Sequence, residues 1–259
     1  MKIIILAAGE GTRLRPYTNN IPKCMVEFAE NSLLSHQLNS IGKCEISSEN
    51  IALVGGYRIE ALKKFNLKTF CNSKYDKTNM VETLFCAKDF MTVDDDLIIS
   101  YGDIIYEERV LKKLINEKDE INIIADKKWE TLWRLRMAQP LNDAETFIMD
   151  DNQLIKELGK KPTSLSQIQA QYIGLIKVKK DLILKFIQEY NNMDRTLMYD
   201  GKNFNNLYMT SFIQHLIDSG WKIRATIIEN GWLEVDTVED LKVYQKLYKQ
   251  GLLRNLINI

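Results

Sequence analysis

Lys2-Ile3-Ile4-Ile5-Leu6-Ala7-Ala8-Gly9-Glu10-Gly11-Thr12-Arg13-Leu14-Arg15-Pro16 opens the chain as an apolar run that stops at glycine and then turns basic. Residues 2–7 read as a buried strand and the glycines as the loop that leaves it. Glycines after a strand let backbone N–H groups approach a phosphate closely, and Arg13, Arg15 and Lys23 supply cations within reach. A polyphosphate is therefore the expected ligand. A dinucleotide fingerprint needs a third Gly or Ala where Leu14 stands, and an unbroken helix that Pro16 and Pro22 forbid. A Walker A loop needs four residues between its glycines and a Gly-Lys-Ser/Thr ending, and neither is present. The apolar run is too short for the core of a signal peptide, so no export signal is expected and the location expected is cytoplasmic.

Outward from the loop, 32–42 reads as a helix, 50–54 as a strand, 57–65 as a helix and 67–71 as a strand. A helix begins at about Met80, where Asn79 serves as cap with Glu82 three residues on. Strand 97–101, helix 107–117 and strand 121–125 continue the rhythm. Such alternation predicts an α/β fold with a mostly parallel sheet and helices on both faces. In the second half, strands near 134–138, 145–149, 153–157 and 170–178 are too closely spaced for crossover helices, so antiparallel additions are expected. Helices at 179–190 and 206–219, strands at 222–228 and 232–235, and a helix over 237–259 complete the outline. No linker or repeat interrupts 1–259, which reads as a single domain.

Across 259 residues, 35 Lys and Arg balance 35 Asp and Glu, so no global field draws nucleic acid or an anionic membrane. No stretch approaches the ~18 apolar residues of a membrane span. Cys24, Cys44, Cys71 and Cys86 form no C-x-x-C and read as reduced thiols. His36 and His215 alone exclude a His-rich zinc site, so the chemistry falls to carboxylates, basic side chains and backbone. Ligands of doubly wound sheets sit beyond the carboxyl ends of strands. Asp103, in Ser100-Tyr101-Gly102-Asp103, and Asp236, in Trp232-Leu233-Glu234-Val235-Asp236-Thr237, both follow strands. Singly, each reads better as a helix cap, Asp236 ahead of Thr237-Val238-Glu239-Asp240. Together, facing a phosphate loop, they are the expected Mg²⁺ site, because Mg²⁺ is held by one or two carboxylates plus substrate phosphates. Asp94-Asp95-Asp96 precedes a strand and reads as a solvated turn, not a glycosyltransferase's metal pair.

The string Leu6–Lys23 resembles the sugar-phosphate nucleotidyltransferase family, whose opening is L-A-A-G-x-G-T-R-x-x-P-x-T followed by P-K. Gly102-Asp103 and Glu234-Val235-Asp236-Thr237 look like its two metal-binding segments. The resemblance implies a Rossmann-like, doubly wound fold and a reaction in which an acceptor phosphate attacks the α-phosphorus of a nucleoside triphosphate and pyrophosphate leaves. It implies nucleotide binding by Leu6, Ala7, Ala8, Gly9, Gly11, Thr12, Arg13, Asn79, Glu82 and Gly102. Arg13 then acts on the leaving pyrophosphate and Lys23 on the α-phosphate or the acceptor, with Mg²⁺ as cofactor on Asp103 and Asp236. The nucleotide part is then about 1–125, and the part that binds the acceptor and completes the metal site about 126–240. Residues 72–84 lack the Gln and P-x-G-T-A-like segment of hexose-1-phosphate members and look more like the phosphocholine cytidylyltransferase branch. That implies CTP as donor. The whole is also similar to bacterial capsule enzymes that activate a phosphorylated amide, such as L-glutamine phosphate, with CTP.

The acceptor residues expected are Lys128, Trp129, Arg134, Arg136, Lys161 and Tyr172. Lys161, in Lys160-Lys161-Pro162, resembles the family's E-K-P segment. Arg134 and Arg136 share a face if this stretch is a strand, Trp129 and Trp133 if it is a helix. Inward arginines favour a carboxylate-bearing acceptor. Convergence of Trp129, Trp133 and Trp232 favours a quaternary ammonium such as choline. The arginine pair tips the expectation toward an amino-acid phosphate. The partners expected are thus CTP and a small phosphorylated acceptor, without nucleic acid or membrane, and an oligomer is compatible with the sequence. A sugar-1-phosphate uridylyl- or thymidylyltransferase and a catalytically silent, nucleotide-binding regulatory protein are the alternatives.

Overall fold

The computed structural model describes residues 1–259. Its central strand is β1 (Lys2–Ala7), where Ile3, Ile4 and Ile5 are all fully buried. Ile3 and Ile5 enter one apolar core and Ile4 the other, as the strand's period of two demands. After the minimal hairpin β2 (Glu27–Phe28) and β3 (Asn31–Ser32) comes α1 (Leu33–Gly42), capped by Ser32, whose Oγ accepts the Ser35 N–H at 3.1 Å. Then follow β4 (Ile51–Gly55), β5 (Lys68–Cys71), α2 (Met80–Phe85), β6 (Leu97–Tyr101), β7 (Ile104–Tyr106), α3 (Glu108–Asn116), β8 (Ile121–Asp126) and α4 (Trp129–Arg136). The second half contains β9 (Phe147–Met149), β10 (Ile155–Leu158), β11 (Gln171–Val178), α5 (Ile183–Asn192), the small ribbon β12 (Met198–Tyr199) and β13 (Lys202–Asn203), and α6 (Met209–Asp218). It ends with β14 (Ile223–Ile228), β15 (Trp232–Glu234) and α7 (Val238–Lys249).

Seven strands form the main sheet in the order β14-β8-β11-β6-β1-β4-β5, and only β11 runs antiparallel to its neighbours. Clusters of 38 and 33 buried residues flank it, so both faces are covered and the fold is doubly wound. From β1 the chain moves outward to β4 and β5, then crosses back to β6 on the other side of β1. That reversal opens a crevice at the carboxyl ends of β1 and β6, where the glycine loop and Asp103 lie.

Five expectations need correction. The residues near 134–138 are not a strand but the end of α4, because burial of Trp129, Leu132 and Trp133 follows helical spacing. Residues 59–65 wind as a 3-10 rather than an α-helix, between Arg58 and Asn66 in left-handed conformations. β9 and β10 pair with each other outside the main sheet, as β15 does with β7. The last helix stops at Lys249, ten residues short of 259, with a further 3-10 turn at Leu253–Asn255. Asn79 caps α2 by accepting the Met80 N–H at 2.8 Å, but Glu82 closes no capping box; its carboxylate accepts the Tyr190 hydroxyl instead. The four cysteines are free thiols, and no helix is long and apolar enough to cross a membrane.

Gly102 lies where β6 passes the end of β1, and a Cβ there would collide with the Leu6 carbonyl oxygen and meet the Ala7 Cα at 3.2 Å. Both obstacles are backbone. Gly102→Ala is therefore expected to part the two strand ends and cost about 1–3 kcal/mol, read as a lower midpoint in denaturant.

Candidate active site

The loop after β1 closes on itself through Lys23. Its N–H donates to the Gly9 carbonyl at 3.2 Å, and the Thr18 hydroxyl donates to the Gly11 carbonyl at 2.7 Å. Gly11 has φ +64°, and a Cβ there would meet the Lys23 Cβ and Cγ at 3.0 Å. Glycine at this position lets the lysine stem lie flat against the loop.

Asp103 sits in the tight turn between β6 and β7, held from behind by Gln37 of α1. The Gln37 amide donates to the carbonyls of Tyr101 and Ile104 at 2.8 Å each, and its own oxygen accepts the Ser100 hydroxyl at 2.8 Å. Asp236 arrives from the far end of the chain. β15 pairs with β7 in a register that sets Glu234 opposite Ile104, and the Val235 N–H donates to the Asp103 carbonyl at 3.0 Å. Thr237, not Asp236, caps α7 in a reciprocal box with Asp240. The Asp236 carboxylate is thereby left for other work. It accepts a hydrogen bond from Lys23 Nζ at 2.6 Å and forms an ion pair with Arg13 Nη2 at 2.5 Å, while the same Nζ reaches Asp103 Oδ2 at 2.6 Å.

One ammonium thus bridges two carboxylates that lie 133 positions apart in sequence. Burial works against the Lys23 charge, but Asp103, Asp236 and Glu234 outweigh it and hold the ammonium above its ordinary pKa. Burial likewise opposes the Asp236 carboxylate, and Lys23, Arg13 and Arg136 overcome it and hold the group below the usual range. The second oxygen of Asp103 is buried without a hydrogen-bond partner.

Around this triad opens a cavity of about 340 Å³. Of the residues expected at a nucleotide or metal, Leu6, Ala7, Ala8, Gly9, Gly11, Thr12, Arg13, Lys23, Asn79, Gly102, Asp103 and Asp236 line it. Glu82 does not, being turned to Tyr190. Cys24, Tyr75, Thr78, Met80, Thr83, Tyr101 and Glu234 complete the wall and were not legible as site residues. Gln37 was missed as well, and the signal that could have found it is a polar residue at the position that continues the stripe Leu33-Leu34-Ile41, where a buried amide needs partners.

A second cavity, of about 200 Å³, continues from the first across Arg13, Met80, Tyr101, Glu234 and Asp236. Tyr172 lines it, as do Trp133 and Trp232, whose ring centres stand 6.2 Å apart. The other expected acceptor residues are elsewhere. Lys128 is exposed and Trp129 buried beneath the helix; neither reaches the cavity. Lys161 donates to the carbonyls of Leu141 and Asn142 at the surface. The helix separates the two arginines by two positions, on nearly opposite sides. Arg134 is exposed and pairs with Glu130 at 2.5 Å. Arg136, its side chain 2% exposed, lies over the Trp133 ring and binds Glu234 at 2.6 Å and Asp240 at 3.1 Å. Arg136→Ala strands two carboxylates and is expected to cost about 3–5 kcal/mol, read by thermal unfolding. Arg134→Ala is expected to stay within about 1 kcal/mol of the parent.

A glycine loop after the first strand, a lysine bridging two strand-end aspartates and paired cavities at the switch point are the arrangement of a nucleotidyltransferase. Residues 3–146 match the MobA-like NTP transferase domain, and the chain belongs to that family. A CTP:phosphoglutamine cytidylyltransferase of Campylobacter jejuni is 46% identical over 252 residues, which cover 94% of this chain and 98% of that protein. The inositol-1-phosphate CTP transferase from T. maritima shares the fold, with a TM-score of 0.74 at 20% identity over 100% of this chain and 98% of that one. The CTP:phosphocholine cytidylyltransferase of Streptococcus pneumoniae does so with a TM-score of 0.70 at 19% identity, over 95% and 98% of the two chains.

Proposed function

We propose that this enzyme moves CMP from CTP to a phosphorylated amide acceptor, L-glutamine phosphate, and releases pyrophosphate. The observation that carries the reading is full-length similarity, at 46% identity, to a CTP:phosphoglutamine cytidylyltransferase, joined to the Lys23 bridge in the crevice. Triphosphate lies on the loop of Gly9 to Arg13 in the first cavity, and the acceptor in the second. Within the single domain, residues 1–125 serve mainly the nucleotide and 126–240 the acceptor. The acceptor phosphate carries most of its second negative charge at neutral pH, with a pKa of about 6, so no general base is needed. Its oxygen forms the new bond to the α-phosphorus as the bond to the β-phosphate oxygen breaks. Lys23 steadies the charge that builds at the α-phosphate, and Arg13, its side chain 64% exposed at the cavity mouth, follows the departing pyrophosphate.

Asp103 and Asp236 would hold Mg²⁺. The residues fit: two carboxylates plus phosphate oxygens are its preferred donors, and Asp103 Oδ1 is a buried acceptor with no partner of its own. Bound there, Mg²⁺ would neutralise the triphosphate and its leaving group. Pyrophosphate release in the presence of Mg²⁺, with CTP, UTP, dTTP, ATP and GTP each crossed with glutamine phosphate, phosphocholine and glucose-1-phosphate, tests the reading. Activity is expected with CTP and glutamine phosphate. Activity confined to UTP or dTTP with the hexose phosphate would overturn it, and CTP binding without turnover on any acceptor would make the protein regulatory.

A further inference from the structure

Resting on the second cavity as the acceptor's, we propose that Glu145, flanked by Asp143, determines acceptor specificity by receiving the acceptor's ammonium group. Gln171 grips the Glu145 backbone on both sides, accepting its N–H at 3.1 Å and donating to its carbonyl at 2.6 Å. The residue is therefore fixed while its carboxylate, which lines the cavity, makes no hydrogen bond and no ion pair. Asp143 is oriented beside it by the Trp133 Nε1–H, which donates to Oδ2 at 3.1 Å.

The charges facing Glu145 are of its own sign. Burial first, then Asp143, Glu234 and Asp200, push its pKa up to about 7. Arg13 is the one cation on the cavity wall, and it is already engaged with Asp236. Trp133, Trp232, Tyr172 and Tyr208 add aromatic surface, which attracts cations. The Tyr172 hydroxyl is buried in the same wall with no hydrogen-bond partner. An uncompensated carboxylate, an unmatched hydroxyl and aromatic surface together form a receptor for a cation that also carries polar groups. Glutamine phosphate offers such a cation in its α-ammonium group. The arginines expected to select a carboxylate are absent from this wall, so selection runs through the opposite charge.

The test compares glutamine phosphate with its des-amino counterpart, phosphorylated glutaramate, and with phosphocholine, in wild type, Glu145→Gln and Asp143→Asn. Pyrophosphate release and calorimetric titration of the acceptors are the readouts. Wild type is expected to favour glutamine phosphate over the des-amino compound by about tenfold or more in KM and Kd. Glu145→Gln is expected to lose that preference by raising the KM and Kd for glutamine phosphate toward those of the des-amino compound, whose own KM and Kd move little, and Asp143→Asn to weaken it in the same direction. At alkaline pH, where Glu145 is ionised against its surroundings, Glu145→Gln is also expected to raise the Tm, opposite to the loss of a structural contact. An unaltered preference in Glu145→Gln, or equal binding of the two amide phosphates by wild type, would overturn the inference. Turnover of phosphocholine but not glutamine phosphate, lost in Glu145→Gln, would overturn the proposed acceptor and leave Glu145 as the ammonium's partner.

Discussion

Replacing Asp103 with alanine is expected to cut pyrophosphate release by about a thousandfold or more while leaving the fold intact. The magnitude follows from losing preorganised charge where the triphosphate reacts, a loss that commonly costs 10²–10³ for one neutral donor and more where a cation site goes with it. Folding should tolerate the change. The Gln37 clamp holds the turn through backbone carbonyls that alanine retains, and Lys23 keeps Asp236 as its partner at 2.6 Å. A thermal midpoint close to the parent's, measured beside the assay, separates lost chemistry from lost structure. Turnover like that of wild type would dissolve the assignment of Asp103, and with it the two-aspartate reading.

Lys23→Ala is expected to lose both activity and stability. Without the ammonium, Asp103 and Asp236 face the same gap with Arg13 and the more distant charge of Arg136 left to offset them, and stranding buried charges of this kind costs about 3–5 kcal/mol. The pH dependence has a definite sign. Neighbouring carboxylates raise the Lys23 pKa on folding, so its stabilising contribution is complete below the ordinary lysine pKa and is lost only as pH rises through the folded value. Across the neutral range the deficit should therefore stay constant. Mg²⁺ should raise the melting temperature of Lys23→Ala more than that of wild type, because a second cation then has an unopposed pair of carboxylates to join. Unchanged stability and turnover in this variant would show that the bridge is incidental. If Mg²⁺ raised both midpoints equally, the aspartates would not be where it binds.

The glycine loop was legible because its chemistry is local. A strand of six residues, the turn after it and the cations Arg13 and Lys23 lie within one short stretch, and phosphate recognition by backbone needs little more. Gly102-Asp103 was legible for the same reason, as a strand end. Asp236 was ambiguous, because a carboxylate before Thr237-Val238-Glu239-Asp240 caps a helix as readily as it meets a cation. Only the observed cap, with Thr237 in that role, freed it. Of the acceptor residues expected, Tyr172 alone lines the second cavity, and the arginines lie elsewhere for a different reason. Arg134 and Arg136 drew notice through charge and proximity, but a helix divides neighbours two apart, and Arg136 found its counter-charges on Glu234 and Asp240.

By itself, then, the sequence determined the strand–helix alternation, the nucleotide loop and the supply of carboxylates and cations, all properties of contiguous residues. The tertiary structure decided which charges meet: that Lys23 bridges Asp103 and Asp236, and that Glu145 stands without a counter-charge among aromatic rings. Pairing across 80 or 213 positions depends on sheet order and on the β15–β7 register, and those are set by burial summed over the whole chain.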